Sequence, residues 1–164
     1  MLFRSTNDYI KPTVEELRYF DRHVLEPLLR IISEHKRSQS PSSDLPLDKV
    51  REIAQELRRY NYLLSVYRQI RTHKTYVILA SSQEPGVEEH FWGTYVFKVG
   101  NAAPYIIEAP YPLIDLSTPE FAAYLFVRMD AQALLVAGGH PMSNQDRSAD
   151  VRSEERRVGK ECRL

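Results

Sequence analysis

The stretch that decides the fold of this 164-residue chain is PYIIEAPYPLIDLSTPEFAAYLFVRMDAQALLVAGG, residues 104–139. It begins and ends with an apolar run of strand length, and between the runs Ser117 or Thr118 followed by Pro119 is typical of a helix start. The pattern predicts a right-handed βαβ unit with parallel strands. Three apolar side chains of its helix are expected to face the sheet: Phe121, Leu125 and Met129.

Two more strands are predicted before this unit. TYVILAS, residues 75–81, is a continuous apolar run, as in a strand that is buried on both faces. GTYVFKV, residues 93–99, is reached through the acidic loop SQEPGVEEHFW, residues 82–92. Residues 75–151 are therefore predicted to form an α/β section with a partly parallel sheet, truncated at its C-terminal end.

Residues 6–74 are predicted to form a helical section that precedes the sheet. Thr13 and Glu16 stand at capping-box spacing, and Pro27 is expected to kink or split the helix near Glu26. A second helix is predicted over residues 48–73. The apolar faces comprise Leu17, Phe20, Val24, Leu28 and Ile31 in the first helix, and Val50, Ile53, Leu57, Tyr60, Leu64 and Tyr67 in the second.

Both ends of the chain look foreign to the rest. Residues 152–162, RSEERRVGKEC, match the translation of a common sequencing adapter that begins AGATCGGAAGAGC, and MLFRS matches the opposite adapter read from GTG. Such segments are set aside before fold reasoning. We therefore expect residues 1–5 and 152–164 to be adapter-derived. Residues 6–151 are expected to be a fragment of a longer parent chain, and the remainder of that chain is its expected partner.

Charge and cysteine content exclude several classes of function. Without the two ends, the chain keeps 16 basic and 19 acidic side chains of the 22 and 22 in the full sequence. This mildly acidic balance predicts no nucleic-acid partner, because nucleic acids are bound by basic surfaces. The single cysteine lies in the tail, which excludes a thiolate zinc site or a cysteine nucleophile from residues 6–151. No apolar run approaches about 18 residues, so no membrane span is expected.

The loops after the third and fourth predicted strands form the candidate site. Ligands of open parallel sheets bind beyond the carboxyl ends of the strands, and adjacent strands would place residues 108–118 beside residues 138–150. Gly138 and Gly139 would let the backbone approach a ligand closely. Trp92 is either part of a lid over the strand ends or ordinary packing. The candidate ligand-binding side chains are Glu108, Tyr111, Thr118, Asn144 and Trp92.

His140 and Asp115 are the candidate catalytic residues. A neutral imidazole near carboxylates can bind zinc or act as a general base near neutral pH. A metal held there would keep a position open for the water that hydrolysis requires. The alternatives are structural, since His140 would simply terminate a strand and Asp115 would be a turn residue before a helix. The candidate metal ligands are His140, Asp146 and Asp150, with a divalent metal such as zinc as the candidate cofactor.

Residues 76–151, with WGTYVF, IIEAPYPLIDLST and VAGGHPMSNQDRSADV, resemble a bacterial protein family of uncharacterised function. At fold level, the arrangement of strand, PxP, acid, Thr and helix also resembles zinc-dependent amidohydrolases and peptidases of the phosphorylase/hydrolase-like fold. That resemblance implies a metal held by a His and an acid after one strand and by a later His. Tyr111 stands at the first His position, Asp115 falls short of the acid spacing, and His140 matches the later His.

These observations predict a hydrolase-like α/β domain that cleaves an amide or ester with the help of a metal. The alternative is a non-catalytic ligand-binding or assembly domain that takes a small anionic or sugar ligand in the same cleft. No GxSxG, Walker A, GxGxxG or HExxH pattern occurs in the sequence. Their absence argues against the common serine hydrolases, P-loop NTPases and dinucleotide enzymes.

Overall fold

The computed structural model describes residues 9–37, 45–82, 84, 90–115, 117–146 and 148–149. The segments expected to be adapter-derived, residues 1–5 and 152–164, lie outside them. Five strands form one sheet: β1 (Tyr62–Arg68), β2 (Thr75–Ser81), β3 (Thr94–Lys98), β4 (Ala103–Ala109) and β5 (Ala131–Val136). Their order across the sheet is β1-β2-β3-β5-β4. Strands β4 and β5 are parallel and the other neighbours are antiparallel, so the predicted α/β fold with a partly parallel sheet is confirmed.

Helix α4 (Thr118–Arg128) joins β4 to β5, which confirms the predicted strand–helix–strand unit. Ser117 occupies the N-cap position with a left-handed backbone, φ 63°, and its side chain makes no capping hydrogen bond. Pro119 lies in the first turn, where its missing N–H costs the helix no hydrogen bond. Because β4 and β5 are parallel neighbours, the loops that follow them leave the same edge of the sheet.

The predicted inward face of α4 is wrong for Phe121 and Met129, while Leu125 is half-buried. The buried side chains are Ala122 and Phe126, four residues apart, whereas Phe121 is 61% exposed and Met129 is also exposed. The small Ala122 lets the helix lie close to the sheet, and the Phe126 ring packs 5.7 Å from the ring of Tyr76 on β2. The contact face therefore lies one residue further along the helix than the apolar spacing predicts.

The first helix runs through three segments: α1 (Val14–Phe20), a π turn (Asp21–Leu25) and α2 (Glu26–Arg37). Thr13 and Glu16 form the predicted capping box. Pro27 has no N–H and would clash with the carbonyl of the preceding turn. The helix accommodates it by widening, and the Glu26 N–H donates to the Asp21 carbonyl across the π turn. The disruption that was predicted near Glu26 thus falls just before it, and the helix is not split.

The second helix is much shorter than predicted. Helix α3 (Leu47–Leu57) continues into a 3-10 turn (Arg58–Tyr60), and Asn61 then adopts a left-handed conformation, φ 55°. A left-handed residue of this kind commonly ends a helix. Residues 62–68, which were predicted to continue the helix, form the edge strand β1, so the sheet starts before residue 75.

Buried clusters lie on both faces of the sheet. Successive residues of a strand point to opposite faces, and Val77 belongs to one buried cluster while Tyr76 belongs to the other. The α1–α3 side is packed by most of the apolar residues that the helix periodicity predicts, namely Phe20, Val24, Leu28, Ile31, Val50, Ile53, Leu57 and Tyr60. Among the described residues, no helix is long and apolar enough to cross a membrane.

Candidate functional site

A cavity of about 110 Å³ opens between the start of the first helix and the sheet. Five of its eight lining side chains are aromatic, and one is charged. We call this cavity the aromatic pocket and define it by its lining residues: Tyr9, Pro12, Glu16, Leu17, Phe20, Tyr62, Trp92 and Tyr95.

The deep part of the aromatic pocket is made by residues that the core already fixes. Tyr62 is 1% exposed and Phe20 is 8% exposed, and both belong to the buried cluster beneath α1–α3. Leu17, one turn before Phe20, is 54% exposed, so the predicted burial of Leu17 is wrong. Burial therefore decreases along α1 from the floor of the pocket at Phe20 to its rim at Leu17.

Trp92 is positioned by a close approach between two backbone segments. Gly93 has a φ of +107°, and a Cβ built on it would lie 2.3 Å from the Val136 carbonyl oxygen. A Cβ on Gly138 would lie 2.5 Å from the Phe91 carbonyl oxygen. The freedom of Gly138 was predicted to admit a ligand, but it admits residues 91–93 instead. Two glycines thus let the segment that carries Trp92 lie against the end of β5.

The polar atoms of three pocket rings are bonded to main-chain carbonyls. The Trp92 indole Nε1 donates to the Ile10 oxygen at 2.6 Å. The Tyr62 hydroxyl donates to the Gly93 oxygen at 2.7 Å, and the Tyr95 hydroxyl donates to the Trp92 oxygen at 3.1 Å. These bonds fix the orientation of the rings. The three side chains therefore offer the cavity aromatic surface rather than free hydrogen-bond donors.

Glu16 supplies the negative charge of the aromatic pocket. Its Oε2 accepts hydrogen bonds from the Thr13 N–H at 2.7 Å and from the Thr13 hydroxyl at 2.8 Å. These bonds, with a smaller contribution from His90, lower the pKa of Glu16 below its ordinary value. The carboxylate is consequently charged at neutral pH.

His90 packs against Trp92. The two ring centroids lie 4.7 Å apart. Nδ1 of His90 is buried and has no hydrogen-bond partner among the residues that the structure describes. The ring therefore packs against Trp92, and it lies near enough to Glu16 to help lower the pKa of that carboxyl.

The loop after β5 holds the N-terminal wall of the aromatic pocket in place. The Asn144 side-chain amide donates to the Tyr9 carbonyl oxygen at 2.7 Å and to the Ser148 hydroxyl at 2.7 Å. Gly139 faces the Tyr9 ring, because a Cβ there would lie 3.1 Å from Cδ2. Asn144, predicted to contact a ligand, is therefore placed as a positioning residue for Tyr9.

His140, the leading catalytic candidate, is 7% exposed. Its Nδ1 accepts a hydrogen bond from the Met142 N–H at 3.1 Å, and its carbonyl oxygen accepts one from the Ser143 N–H at 2.8 Å. Both bonds close a turn in the loop after β5. This local role is the structural alternative that the sequence left open for His140.

The other candidates of the predicted site are exposed or half-buried. The Asp115 side chain is exposed, and its main chain forms the turn before α4, with its N–H bonded to the Tyr111 oxygen and its carbonyl bonded to the Thr118 N–H. Glu108 is exposed on β4, and Tyr111 and Thr118 are half-buried. The Ala137 N–H donates to the Ala109 oxygen at 3.0 Å, so the two loops do start side by side, as expected.

The candidate metal ligands are not gathered into a set. Asp146 is exposed, and its Oδ1 accepts a hydrogen bond from the Ser148 N–H at 2.9 Å, which lowers the pKa of Asp146. Asp150 lies outside the described residues. Within the ranges that the structure covers, no three His, Cys, Asp or Glu side chains are grouped so that they could hold a metal ion. The described donors alone therefore do not fit a zinc site.

Comparison with known proteins identifies no relative of this chain. No protein-family model, no curated protein and no solved structure matches this chain. The properties of the candidate site therefore rest on its own geometry.

Sequence patterns find little of the aromatic pocket. Trp92 was a candidate, but its partners come from the N-terminal segment, from α1 and from β1, far away along the chain. Glu16 was recognised as part of a capping box and not as a pocket residue. The one local signal was the density of aromatic residues around Trp92 and Tyr95, which does not tell where the facing rings come from.

Proposed function

We propose that this chain is a non-catalytic ligand-binding domain that takes part of a small molecule into the aromatic pocket. The observation that carries the proposal is a cavity walled by five aromatic rings beside a cluster of buried core residues. Binding sites for small molecules are typically concave and apolar, with a few fixed polar groups. A gap of this size beside buried residues costs packing energy, which a ligand would restore.

The size of the cavity limits what enters it. A volume of about 110 Å³ corresponds to roughly four water molecules at about 30 Å³ each. A compact group with several methyl branches fits this space, whereas a whole sugar ring with its hydroxyls needs more. The rest of the ligand would lie over the exposed rim at Leu17.

The lining offers no catalytic constellation. Catalysis requires a nucleophile, a base or a metal within reach of the bound group. The hydroxyls of Tyr62 and Tyr95 are committed to carbonyl oxygens, and one oxygen of Glu16 is committed to Thr13. A pocket of this kind favours binding over reaction.

A second cavity, of about 400 Å³, lies between α2 and α3 and serves as the comparison. Its lining carries three basic and three acidic side chains, Arg22, Arg30 and Lys49 with Glu26, Glu34 and Glu52. This mixed lining has no net charge and no aromatic side chain, so it lacks the features that favour a specific small ligand.

Metal-dependent amide or ester hydrolysis at the loops after β4 and β5 stays a prediction. Nδ1 of His140 already accepts the Met142 N–H, so a metal would have to bind through Nε2. That function requires stoichiometric zinc in the purified protein and its loss in His140→Ala. Metal analysis of the two proteins therefore decides this candidate independently of the aromatic pocket.

The test of the binding proposal is a titration with probes of similar shape and different charge. Choline, 3,3-dimethylbutan-1-ol and 3,3-dimethylbutanoate share a head with three methyl groups, and methyl glucoside represents a sugar. Trp92 is the single tryptophan of the chain, so its fluorescence reports directly on the pocket. We expect at least one probe to give a saturable change, with a Kd of about 1 mM for so small a ligand.

NMR shift mapping places the binding event. We expect shifts at Tyr62, Trp92 and Tyr95, and none along the α2–α3 groove. Trp92→Phe should weaken binding, while Phe121→Ala, a change at an exposed ring on α4, should leave it unchanged. Absence of saturation with every probe, or shifts centred on the α2–α3 groove, would contradict the proposal.

A further inference from the structure

We infer that the group bound in the aromatic pocket is a methylated ammonium cation carried by a free small molecule. This inference rests on the proposed function, since it names the chemical class that the same cavity takes. It follows from three properties of the lining: aromatic rings that are tilted against one another, a single negative charge, and side-chain hydrogen-bond donors that are already bonded to carbonyl oxygens.

The rings of the lining are arranged around the cavity from different directions. Tyr62 lies 6.4 Å from Trp92 and 6.5 Å from Tyr95, and Phe20 lies 6.1 Å from Tyr95, with interplanar angles of 30–48°. The rings are therefore tilted against one another rather than stacked in parallel. The face of an aromatic ring carries negative potential and attracts a cation within about 6 Å of its centroid. Tilted rings around one cavity are the arrangement in which quaternary ammonium groups are recognised.

Glu16 adds a full negative charge to the partial charges of the rings. It is the one charged side chain among the described residues that line the cavity. Thr13 holds the carboxylate through Oε2, and Glu16 lines the cavity. Among the described hydrogen bonds, none involves Oε1. A carboxylate beside the rings favours a cation over a neutral group of equal shape.

Three of the four side-chain hydrogen-bond donors of the lining already have carbonyl acceptors, which disfavours the binding of anions and sugars. Anions and hydroxyl groups need hydrogen-bond donors when they leave water. The Trp92 N–H and the hydroxyls of Tyr62 and Tyr95 already donate to carbonyl oxygens, and no lysine or arginine belongs to the described lining. A methylated ammonium group needs no donor, because its surface is made of methyl groups that carry the positive charge.

The decisive experiment compares choline with its neutral isostere 3,3-dimethylbutan-1-ol, in which carbon replaces the charged nitrogen. We expect choline to bind at least about tenfold more tightly, the effect of a desolvated cation over aromatic rings. We expect the anion 3,3-dimethylbutanoate to bind more weakly than both. Equal or tighter binding of the neutral isostere would overturn the inference and leave the binding proposal standing. Absence of binding by every probe would instead overturn the binding proposal.

Glu16→Gln isolates the charge without removing the helix cap. Glutamine can replace glutamate in a capping box, so the start of α1 is retained. We expect choline to bind about fivefold more weakly to this variant, and the neutral isostere to bind within about twofold of its wild-type affinity. Glu15→Gln is the matched control, since Glu15 lies in the same helical turn, is exposed and does not line the cavity. An equal loss in both variants would refute a direct contact with Glu16.

The source of the cation is tested separately. A lipid headgroup carries the same trimethylammonium group as free choline. We expect no co-sedimentation of the protein with phosphatidylcholine vesicles, because the cavity is set between α1 and the sheet. Co-sedimentation that free choline competes away would overturn a free small molecule as the source and assign the site to the headgroup.

Discussion

Replacement of Asp130 by asparagine should destabilise the fold, because the buried ammonium group of Lys98 loses its carboxylate partner. Asp130 Oδ2 accepts from Lys98 Nζ at 2.6 Å, and Oδ1 accepts from Lys74 Nζ at 2.7 Å. Lys98 is 7% exposed, and its second hydrogen-bond partner is the Asn101 carbonyl. Asparagine keeps the shape and tolerates the left-handed backbone of this position, φ 55°. The substitution therefore removes the charge and little else.

The expected loss lies between the values for exposed and buried ion pairs. Exposed pairs contribute about 0.2–1 kcal/mol, and breaking a fully buried pair costs about 3–5 kcal/mol. Lys98 is buried, but the Asp130 side chain is 42% exposed, so solvent screens part of the interaction. We expect a loss of about 2 kcal/mol, or roughly 4–8 °C in Tm for a chain of this length.

The pH dependence of this loss has a definite sign. Hydrogen bonds from Lys74 and then Lys98 lower the pKa of Asp130. A lowered pKa contributes stability that is complete above the unfolded-state value of about 3.9 and is lost as the pH falls through the folded-state value. Urea unfolding should therefore show a constant gap between wild type and Asp130→Asn from about pH 7 to 5, which closes below about pH 4.

An exposed aspartate provides the matched control for Asp130→Asn. Asp48 is 95% exposed and pairs with Arg51 at 3.5 Å, so Asp48→Asn should change stability by less than about 0.5 kcal/mol. Equal effects of the two substitutions at pH 7, or an Asp130→Asn gap that persists unchanged at pH 3, would refute the electrostatic explanation.

Two further predictions concern the glycine before β3 and the face of α4. Gly93→Ala should cost about 3 kcal/mol or more in urea unfolding, because its Cβ would lie 2.3 Å from the Val136 oxygen. Gly100→Ala, at φ +87° with open space around it, should cost only about 1 kcal/mol of backbone strain, and a similar loss in both would remove the close contact as the cause. Phe126→Ala should lower the free energy of unfolding by about 3–5 kcal/mol, and Phe121→Ala should lower it by less than about 0.5 kcal/mol. A larger loss for Phe121→Ala in thermal unfolding would show that the face predicted from the sequence is the buried one.

The sequence predicts strands and connections well where the pattern is local. The three strands that the sequence predicts before α4, and the one after it, are short apolar runs bounded by polar or turn residues, and all four occur in the structure. The prediction of a helix over residues 62–68 was wrong because Leu64 and Tyr67 continue the helical spacing of α3 by coincidence. Asn61, which adopts the left-handed conformation, was the available signal for the end of the helix. Its effect depends on a backbone angle that spacing alone does not give.

The candidate site was less predictable because its contacts are distant in sequence. The neighbouring start points of the loops after β4 and β5 follow from the order of the parallel strands, and they were expected. What the loops contact depends on tertiary packing: Gly138 faces residues 91–93, and Asn144 bonds to the Tyr9 carbonyl. No periodicity within a segment encodes these contacts.

The bonds that close the aromatic pocket impose an order on folding. Trp92 bonds to Ile10 across 82 residues, and Asn144 bonds to Tyr9 across 135 residues. Contacts of such separation carry a larger loop-closure entropy and form after local structure. On a ribosome that adds about 5–20 residues per second, Tyr9 would wait roughly 7–27 s for Asn144 to be synthesised. In refolding, Trp92 fluorescence should therefore reach its native value after the helical circular dichroism signal, and a ligand present during synthesis would meet a finished pocket only at the end.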